Sequence, residues 1–287
     1  MRIDSHHHLW HFDPGEFSWI PEPMSVLRRD FLPMELEREC LAARVEGTVA
    51  VQARQSLEET RWLLEIAGKS PVLGVVGWAP IEAPDFAVIL EDLQQHSLLK
   101  GLRHIVQSEP DGFLMRPGFQ QGFRRLKDSG MAYDLLVYAR QLPEAIRFVD
   151  THPSQPFVLD HLGKPRIASL EIATWSQSLR ELARRPNVCC KISGLVTEAD
   201  PFAWTREQLK PYLDVALESF GAKRLMIGTD WPVCTVGCSY QEWWATVEDW
   251  IAPLSPSEQA DILGLTAARV YRLQPLNSNA RAGETAG

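Results

Sequence analysis

Short apolar runs alternate along this chain with longer segments whose apolar residues recur at the helical period of about 3.6. The short runs end at polar or turn-forming residues, which is typical of buried strands. The predicted strands are Arg2–Ser5, Gly47–Ala53, Val72–Trp78, Gly101–Val106, Ala132–Val137, Phe157–Asp160, Val188–Ile192 and Leu225–Gly228. The predicted helices are Pro33–Arg44, Ser56–Gly68, Pro84–His96, Pro117–Ser129, Leu142–Thr151, Ile172–Arg185, Arg206–Gly221 and Ser239–Ile251.

The repeated strand–helix unit predicts a closed barrel. Continuous alternation places helices outside a parallel sheet, so we expect an α/β protein, a single-domain (β/α)8 TIM barrel over residues 1–272. Simple division of the 287 residues would suggest two domains, but such barrels commonly occupy about 200–250 residues as one domain. An open doubly wound sheet is the alternative, and the chain has no glycine-rich phosphate loop to support it. Residues 273–287 lose the periodicity, and we expect them to be disordered.

Composition and charge narrow the classes of partner. Apolar residues make up 45% of the chain, enough for a large core, and the net charge of −8 includes no basic block. An acidic chain without basic clusters argues against nucleic acid and anionic membranes as partners. Because no apolar run is long enough to span a membrane and the start lacks a signal-peptide pattern, we expect a cytoplasmic protein. The sequence leaves a homo-oligomer open.

The first strand ends in a cluster of imidazoles. Successive side chains of a strand alternate between its two faces, so His6 and His8 should share one face while His7 points to the other. Two neutral imidazoles in this spacing can both reach one metal ion at about 2.0–2.1 Å. The pattern therefore predicts a metal or catalytic site, and the alternative is a solvated strand end.

Polar residues also fall at the predicted carboxyl ends of later strands. The loops of a barrel gather over one mouth at these ends, and active sites lie there. The residues are Gln52 and Arg54, Arg103 and His104, Asp134, Asp160 and His161, Ser193, and Thr229, Asp230 and Trp231. Core packing alone does not account for so many polar residues at one end of the barrel, so we predict an active site at this mouth.

A series of short motifs stands in order along residues 1–272. They are Ile3-Asp-Ser-His-His-His-Leu-Trp10, Val51-Gln-Ala-Arg54, Lys100-Gly-Leu-Arg-His104, Asp134-Leu-Leu-Val137 with Gln141-Leu-Pro143, Leu159-Asp-His-Leu-Gly-Lys-Pro165, Lys191-Ile-Ser-Gly-Leu195 and Gly228-Thr-Asp-Trp-Pro-Val233. Together they resemble the amidohydrolase superfamily, and within it the branch of sugar-lactone hydrolases. The resemblance implies a barrel hydrolase whose reacting centre combines the first-strand histidines with His161 and Asp230.

Opening a lactone needs an activated water, a polarised carbonyl and a proton for the departing alkoxide. One divalent ion, zinc or manganese, held by His6, His8 and Asp230 would supply the first two. We expect Asp230 to take the proton of the water and pass it to the ring oxygen. We expect His161 either to complete the metal coordination or to polarise the carbonyl.

The resemblance also bears on the number of metal ions. Binuclear members of the superfamily hold a bridging lysine near the end of strand four, where this chain has Arg103 and His104. The departure implies one ion at most. Lactonases similar to this chain include proteins that work without a metal through the same histidines and aspartate, so the resemblance implies an ion but leaves open whether the reaction requires it.

Candidate substrate-binding residues surround these central four. Guanidinium and ammonium groups bind hydroxyls and carboxylates, and aromatic rings cover the apolar faces of sugars. The candidates are Arg103, His104, Gln52, Arg54, Lys164, Trp10 and Trp231. Surface ion pairs, hydrogen-bonded core polar groups and ordinary packing are the alternative interpretations for each.

Three other functions stay open besides hydrolysis of a neutral sugar lactone. A metal-dependent decarboxylase of the same superfamily would need a dedicated arginine at the mouth, and the sequence shows no obvious second arginine cluster. A hydrolase of a dicarboxylate lactone would need more positive charge there. A binding protein without catalysis would not need the proton-transferring Asp230. The sequence therefore favours an enzyme whose partner is a small-molecule sugar lactone.

Overall fold

Eight parallel strands form the centre of the computed structural model, which describes residues 1–127 and 129–274. The strands are β1 Ile3–His7, β2 Gly47–Val51, β3 Val72–Gly77, β4 Leu99–His104, β5 Ala132–Leu135, β6 Phe157–Leu159, β7 Val188–Ile192 and β8 Leu225–Ile227. Each pairs with its neighbour in chain order, and a parallel bridge between His7 and Trp231 links the two ends of the sheet. The predicted single-domain (β/α)8 TIM barrel is confirmed.

Helices follow the strands around the outside of the barrel. In the described residues they are α1 Pro33–Ala43, α2 Leu57–Ala67, α3 Phe86–Gln94, α4 Pro117–Phe123, α5 Leu142–Thr151, α6 Ala173–Ala183, α7 Leu195–Glu198, α8 Arg206–Phe220, α9 Tyr240–Ile251, α10 Pro256–Ala260 and α11 Thr266–Val270. Ser56 caps α2 by accepting a hydrogen bond from the Glu59 amide, and Gly221 ends α8 at a positive φ.

The helices differ from the prediction in two ways. Helix α4 ends at Phe123 rather than continuing to residue 129, and a 3₁₀ turn follows it. Two glycines within it, Gly118 and Gly122, weaken its helical propensity, and a Cβ at Gly122 would lie 1.8 Å from the Ile81 carbonyl oxygen. The structure also has three helices that were not predicted, α7, α10 and α11, which have only four or five residues each and are too short to show a period.

Apolar side chains form one core between the strands and helices and a second, smaller cluster that closes the amino-terminal end of the barrel. Residues of several strands, among them Ile3 and Met226, pack there against Ala267 and Tyr271 of α11 and its following turn. Leu273 belongs to this cluster and its amide donates to the Ala268 carbonyl, so the ordered chain passes the predicted boundary at residue 272. The rest of the tail predicted to be disordered lies outside the described residues from residue 275 onward.

Among the helices that the structure describes, none combines the length and the apolar character needed to cross a membrane.

Candidate active site

The carboxyl ends of β1 and β8 are tied together by a buried carboxylate. Asp4 accepts hydrogen bonds from the His6 amide at 3.0 Å, the Thr229 amide at 2.9 Å and the Thr229 hydroxyl at 2.6 Å. The Asp230 amide in turn donates to the His6 carbonyl at 2.7 Å. Burial raises the pKa of Asp4 to about 6, and the Thr229 hydrogen bonds oppose that rise. These bonds place Asp230 beside the first-strand histidines.

The four central residues predicted from the sequence meet at one point. His6 Nε2 lies 3.3 Å from His8 Nε2 and 3.6 Å from Asp230 Oδ1. Asp230 Oδ1 is also 3.3 Å from His8 Nε2 and 4.0 Å from His161 Nε2. His7 points away, and its Nε2 lies 2.9 Å from Thr48 Oγ1. The predicted division of the three histidines between two faces is therefore confirmed, although the pairing of β1 with β2 shifts register between Asp4 and His7.

Two of these residues occupy strained backbone. Asp230 has φ +59°, and His161 begins a left-handed run that continues to Lys164. Each non-glycine residue in this region costs about 1–2 kcal/mol, a strain that folded proteins retain mainly at functional sites. Gly194 lies against the His161 ring at φ +67°, and a Cβ there would come within 2.6 Å of His161 Nδ1. Only glycine leaves room for the imidazole in its present place.

Hydrogen bonds to the outer nitrogens restrict what the histidines can do. His8 Nδ1 lies 2.8 Å from the Val51 carbonyl oxygen, which can only accept, so neutral His8 has its lone pair on Nε2. His161 Nδ1 lies 2.8 Å from the Ser193 hydroxyl, which can donate or accept. Ser193 thus permits either tautomer of His161, as a ligand or as a donor to a carbonyl.

A buried charge network lies beneath His6. The Lys191 ammonium donates to Asp134 Oδ2 at 2.5 Å and contacts Asp160 Oδ1 and His6 Nδ1, each at 3.1 Å. Arg103 donates to Asp160 Oδ2 at 3.0 Å. All these side chains are at least 97% buried, and the two carboxylates balance the two cations. Burial of balanced, hydrogen-bonded charges fixes the geometry below the imidazole, because breaking one pair would leave a charge uncompensated.

Sequence reasoning did not assign a role to Lys191, and it placed Asp134 and Asp160 at the mouth of the barrel without giving either a role in the site. A signal was available, because each is a charged residue within or directly after an otherwise apolar, buried strand. Charged side chains in such positions are rare unless they are paired. The order of the strands from β5 to β7 brings these three side chains into contact.

The charge states of the site follow from its burial and its neighbours. Burial raises the pKa of Asp230, but His161, His8 and His6 outweigh it and hold that pKa well below its usual value. Burial lowers the pKa of His161 to about 4 against the opposing effect of Asp230. Burial, reinforced by Lys191, lowers the pKa of His6 far below its usual value. At neutral pH the site thus combines the Asp230 carboxylate with the neutral imidazoles of His6 and His161.

A cavity of about 220 Å³ opens above the cluster at the predicted mouth. Its wall includes His8, His161 and Asp230 together with Arg103, Lys164 and Trp19. Trp19 belongs to the long segment after β1, and its indole is 45% exposed. The cavity thus combines polar side chains with an aromatic face, as a sugar-sized ligand would require.

The predicted substrate-binding residues divide into two groups. Arg103 and Lys164 line the cavity, and Gln52 lies behind Arg103, accepting from its guanidinium at 2.9 Å through Oε1. The other four lie away from the cavity. Arg54 pairs with Glu16 and Glu59 in a separate surface pocket, and His104 lies between Trp78 and Glu109. Trp10 and Trp231 are each 1% exposed and pack on Phe31. Direct contact of this second group with a ligand would require movement of these side chains.

The donor set fits a divalent ion. One atom each of His6, His161 and Asp230 lies within 4.8 Å of the others, and His8 Nε2 lies within 3.3 Å of two of these residues. Separations near 3.3 Å match those between ligands about 2.0–2.1 Å from one tetrahedral ion. Asp160 Oδ1 lies 3.4 Å from His6 Nδ1, on the side of the ring where metal-bound histidines commonly have a carboxylate neighbour.

Comparison with known proteins gives the family. The amidohydrolase family model matches residues 3–273. The L-fucono-1,5-lactonase of Burkholderia multivorans is 40% identical over 95% of this chain and 96% of its own, and that of Burkholderia ambifaria is 34% identical over 95% and 96%. The crystal structure of a Burkholderia multivorans amidohydrolase with bound zinc is 40% identical, covers 96% of this chain and 100% of its own, and has a TM-score of 0.92. The chain therefore belongs to the amidohydrolase family.

Proposed function

We propose that this protein hydrolyses a sugar-derived lactone, such as L-fucono- or L-rhamnono-lactone, to the open-chain acid. The observation that carries the proposal is the Asp230 carboxylate, which lies within 4.0 Å of His6, His8 and His161 at the floor of a sugar-sized cavity. The two L-fucono-1,5-lactonases, similar over nearly the whole chain, support this substrate class.

Asp230 is the proton shuttle in this proposal. Its carboxylate takes a proton from a water held over the imidazoles, and the resulting hydroxide attacks the lactone carbonyl carbon. The carboxylic acid then gives the proton to the ring oxygen as the carbon–oxygen bond breaks, so Asp230 returns to its ionised form. Positioned acid–base groups of this kind contribute about 10²–10⁴ in rate.

His161 polarises the carbonyl in the same scheme. When the Ser193 hydroxyl donates to Nδ1, the ring keeps its hydrogen on Nε2, the nitrogen that faces Asp230 and the cavity. That N–H can donate to the carbonyl oxygen, on which negative charge develops during attack. The left-handed backbone and Gly194 hold the ring in place for this contact.

We propose that His6, His8 and Asp230 hold one zinc or manganese ion, which when bound would polarise the carbonyl and lower the pKa of water. His161 is the fourth ligand when its hydrogen is on Nδ1 and a donor to the carbonyl when its hydrogen is on Nε2, so the two roles exclude each other. The donor set and the zinc bound to the similar Burkholderia multivorans amidohydrolase support this assignment. Asp230 and His161 can also perform the proton transfer and the polarisation themselves, and the chelation experiment below decides whether the reaction needs the ion. Residues 1–272 with Leu273 form the catalytic unit.

The arrangement of Arg103 argues against a decarboxylase. Such an enzyme would bind a substrate carboxylate through a dedicated arginine, but the Arg103 guanidinium already donates to Asp160 and to Gln52. It is 3% exposed and, among the residues that the structure describes, is the one arginine on the cavity wall. A neutral lactone needs no such group.

A pH-indicator assay of purified protein against a panel of aldono-1,4- and aldono-1,5-lactones tests the proposal. We expect acid release from one stereochemical series. Failure to open any lactone, together with carbon dioxide release from an aromatic carboxylate, would favour the decarboxylase. A chelated sample with metal analysis tests the ion, because a rate restored by one equivalent of zinc or manganese supports the metal and an undiminished rate assigns catalysis to the side chains.

A further inference from the structure

The second cation of the cavity wall is paired with a residue that the mechanism does not use. Lys164 Nζ lies 3.0 Å from Glu198 Oε1, and the two side chains are only 16% and 17% exposed. Glu198 is the last residue of α7, the short helix that follows Gly194. The ammonium also lies 5.4 Å from the centre of the Tyr138 ring. The pair is thus partly removed from water, at the edge of the reacting centre.

The backbone fixes Lys164 relative to the catalytic histidine. Both residues belong to the left-handed run that begins at His161, and the Lys164 amide donates to the His161 carbonyl at 2.8 Å. Gly194, which makes room for the His161 ring, directly precedes α7 and therefore Glu198. The two segments that place the catalytic imidazole also place the ion pair.

Each cation on the described wall of the cavity is paired with a carboxylate. Arg103 is neutralised by Asp160, Lys164 by Glu198, and Asp230 adds a further negative charge at the floor. A lactone that carried a free carboxylate would meet no uncompensated ammonium or guanidinium group on the described wall. Charge interactions between partly buried groups are several times stronger than those in water, so this balance affects which substrate binds.

We propose that Glu198 is a specificity-determining residue that acts through Lys164. Through this pair the cavity selects neutral lactones over lactones that carry a free carboxylate. The proposal rests on the lactonase function given above and adds a rule for its substrates. Glu198 neutralises and orients the Lys164 ammonium, which then donates to a hydroxyl of the substrate. Without Glu198, Lys164 becomes a free cation that attracts a substrate carboxylate.

The test measures kcat/KM for two substrates of the same stereochemistry, an aldarolactone, which carries a free carboxylate, and the neutral aldonolactone. The quantity compared is the ratio of the first value to the second. We expect Glu198→Gln to raise this ratio at least tenfold, mainly through a lower KM for the charged lactone. Combining it with Lys164→Met should abolish the gain. Because both substrates meet the same sample, a partly folded variant changes both values equally and leaves the ratio unaltered.

Glu65→Gln is the matched control. Glu65 on α2 lies 4.0 Å from Lys69, which follows the end of that helix, and both side chains are exposed, so neutralising Glu65 should leave the ratio at the wild-type value. An unchanged ratio in Glu198→Gln, or an equal increase in Glu65→Gln, would overturn the inference while the lactonase function stands. Wild-type protein that opens no lactone of either kind would instead refute the proposed function and the inference with it.

Discussion

Gly194→Ala tests whether the position of the His161 ring determines turnover. Gly194 has φ +67°, and an added Cβ would lie 2.6 Å from His161 Nδ1 and 2.8 Å from Cγ. Ordinary van der Waals contact begins at 3.4 Å, so the imidazole must retreat by about 0.8 Å. The ring packs 4.5 Å from the His6 ring centre, which restricts where it can go.

Two separate magnitudes follow from this geometry. A non-glycine residue at positive φ costs about 1–2 kcal/mol, and the displaced ring adds a packing cost of about 1 kcal/mol. A misplacement of about 1 Å in a catalytic group costs about 10²-fold in rate. We therefore expect Gly194→Ala to lower kcat about 100-fold while the protein stays folded and loses about 2–3 kcal/mol of stability.

Gly112→Ala provides the control for the backbone cost alone. Gly112 has φ +92°, and nothing lies within 4 Å of an added Cβ. It should lose a similar 1–2 kcal/mol in urea denaturation and keep its kcat. Gly194→Ala with wild-type kcat on the best lactone, or Gly112→Ala with an equal loss of kcat, would refute the claim that the position of His161 limits turnover.

Two further predictions concern buried charges. Lys191→Met should lower the free energy of unfolding by about 3–5 kcal/mol in urea denaturation, because it leaves two buried carboxylates without their shared cation. A variant as stable as the wild type would contradict the network described here. Burial raises the pKa of Glu59 from 4.5 to about 7. A raised folded-state pKa gives stability that is fully present below about 4.5 and is lost as the pH rises through 7. Glu59→Gln cannot ionise and therefore escapes this loss. The difference in free energy of unfolding between the variant and wild type should shift by about 2 kcal/mol in favour of the variant as the pH rises from 5 to 8.5, and parallel profiles of the two proteins would contradict this sign.

The sequence was sufficient for the fold because the barrel repeats one simple unit eight times. Each buried parallel strand is a continuous apolar run, and each helix shows its own period, so strand order follows from chain order. The common face of His6 and His8 also followed from strand geometry. The resemblance to known motifs added His161 and Asp230, whose meeting point with β1 depends on the closure of the barrel.

The rest of the site depends on geometry that periodicity does not contain. Arg54 and His104 follow or end their strands as predicted, but their side chains turn to Glu16 and Glu109 rather than to the cavity. Loop conformation decides such directions, and the sequence pattern does not specify it. The role of Lys191 emerges only when residues from β5, β6 and β7 meet, which is a contact between distant parts of the chain.

The most direct test of the account compares wild type with Asp230→Asn on the best aldonolactone, with the circular dichroism spectrum and unfolding midpoint of each sample recorded. Asparagine keeps the size of the side chain but cannot accept the proton of the water. The account predicts an unchanged spectrum, an unfolding midpoint within a few degrees and a kcat lower by about 10²–10⁴. A folded Asp230→Asn protein that retains kcat within a few-fold of wild type would contradict the proton shuttle and the proposed reaction centre.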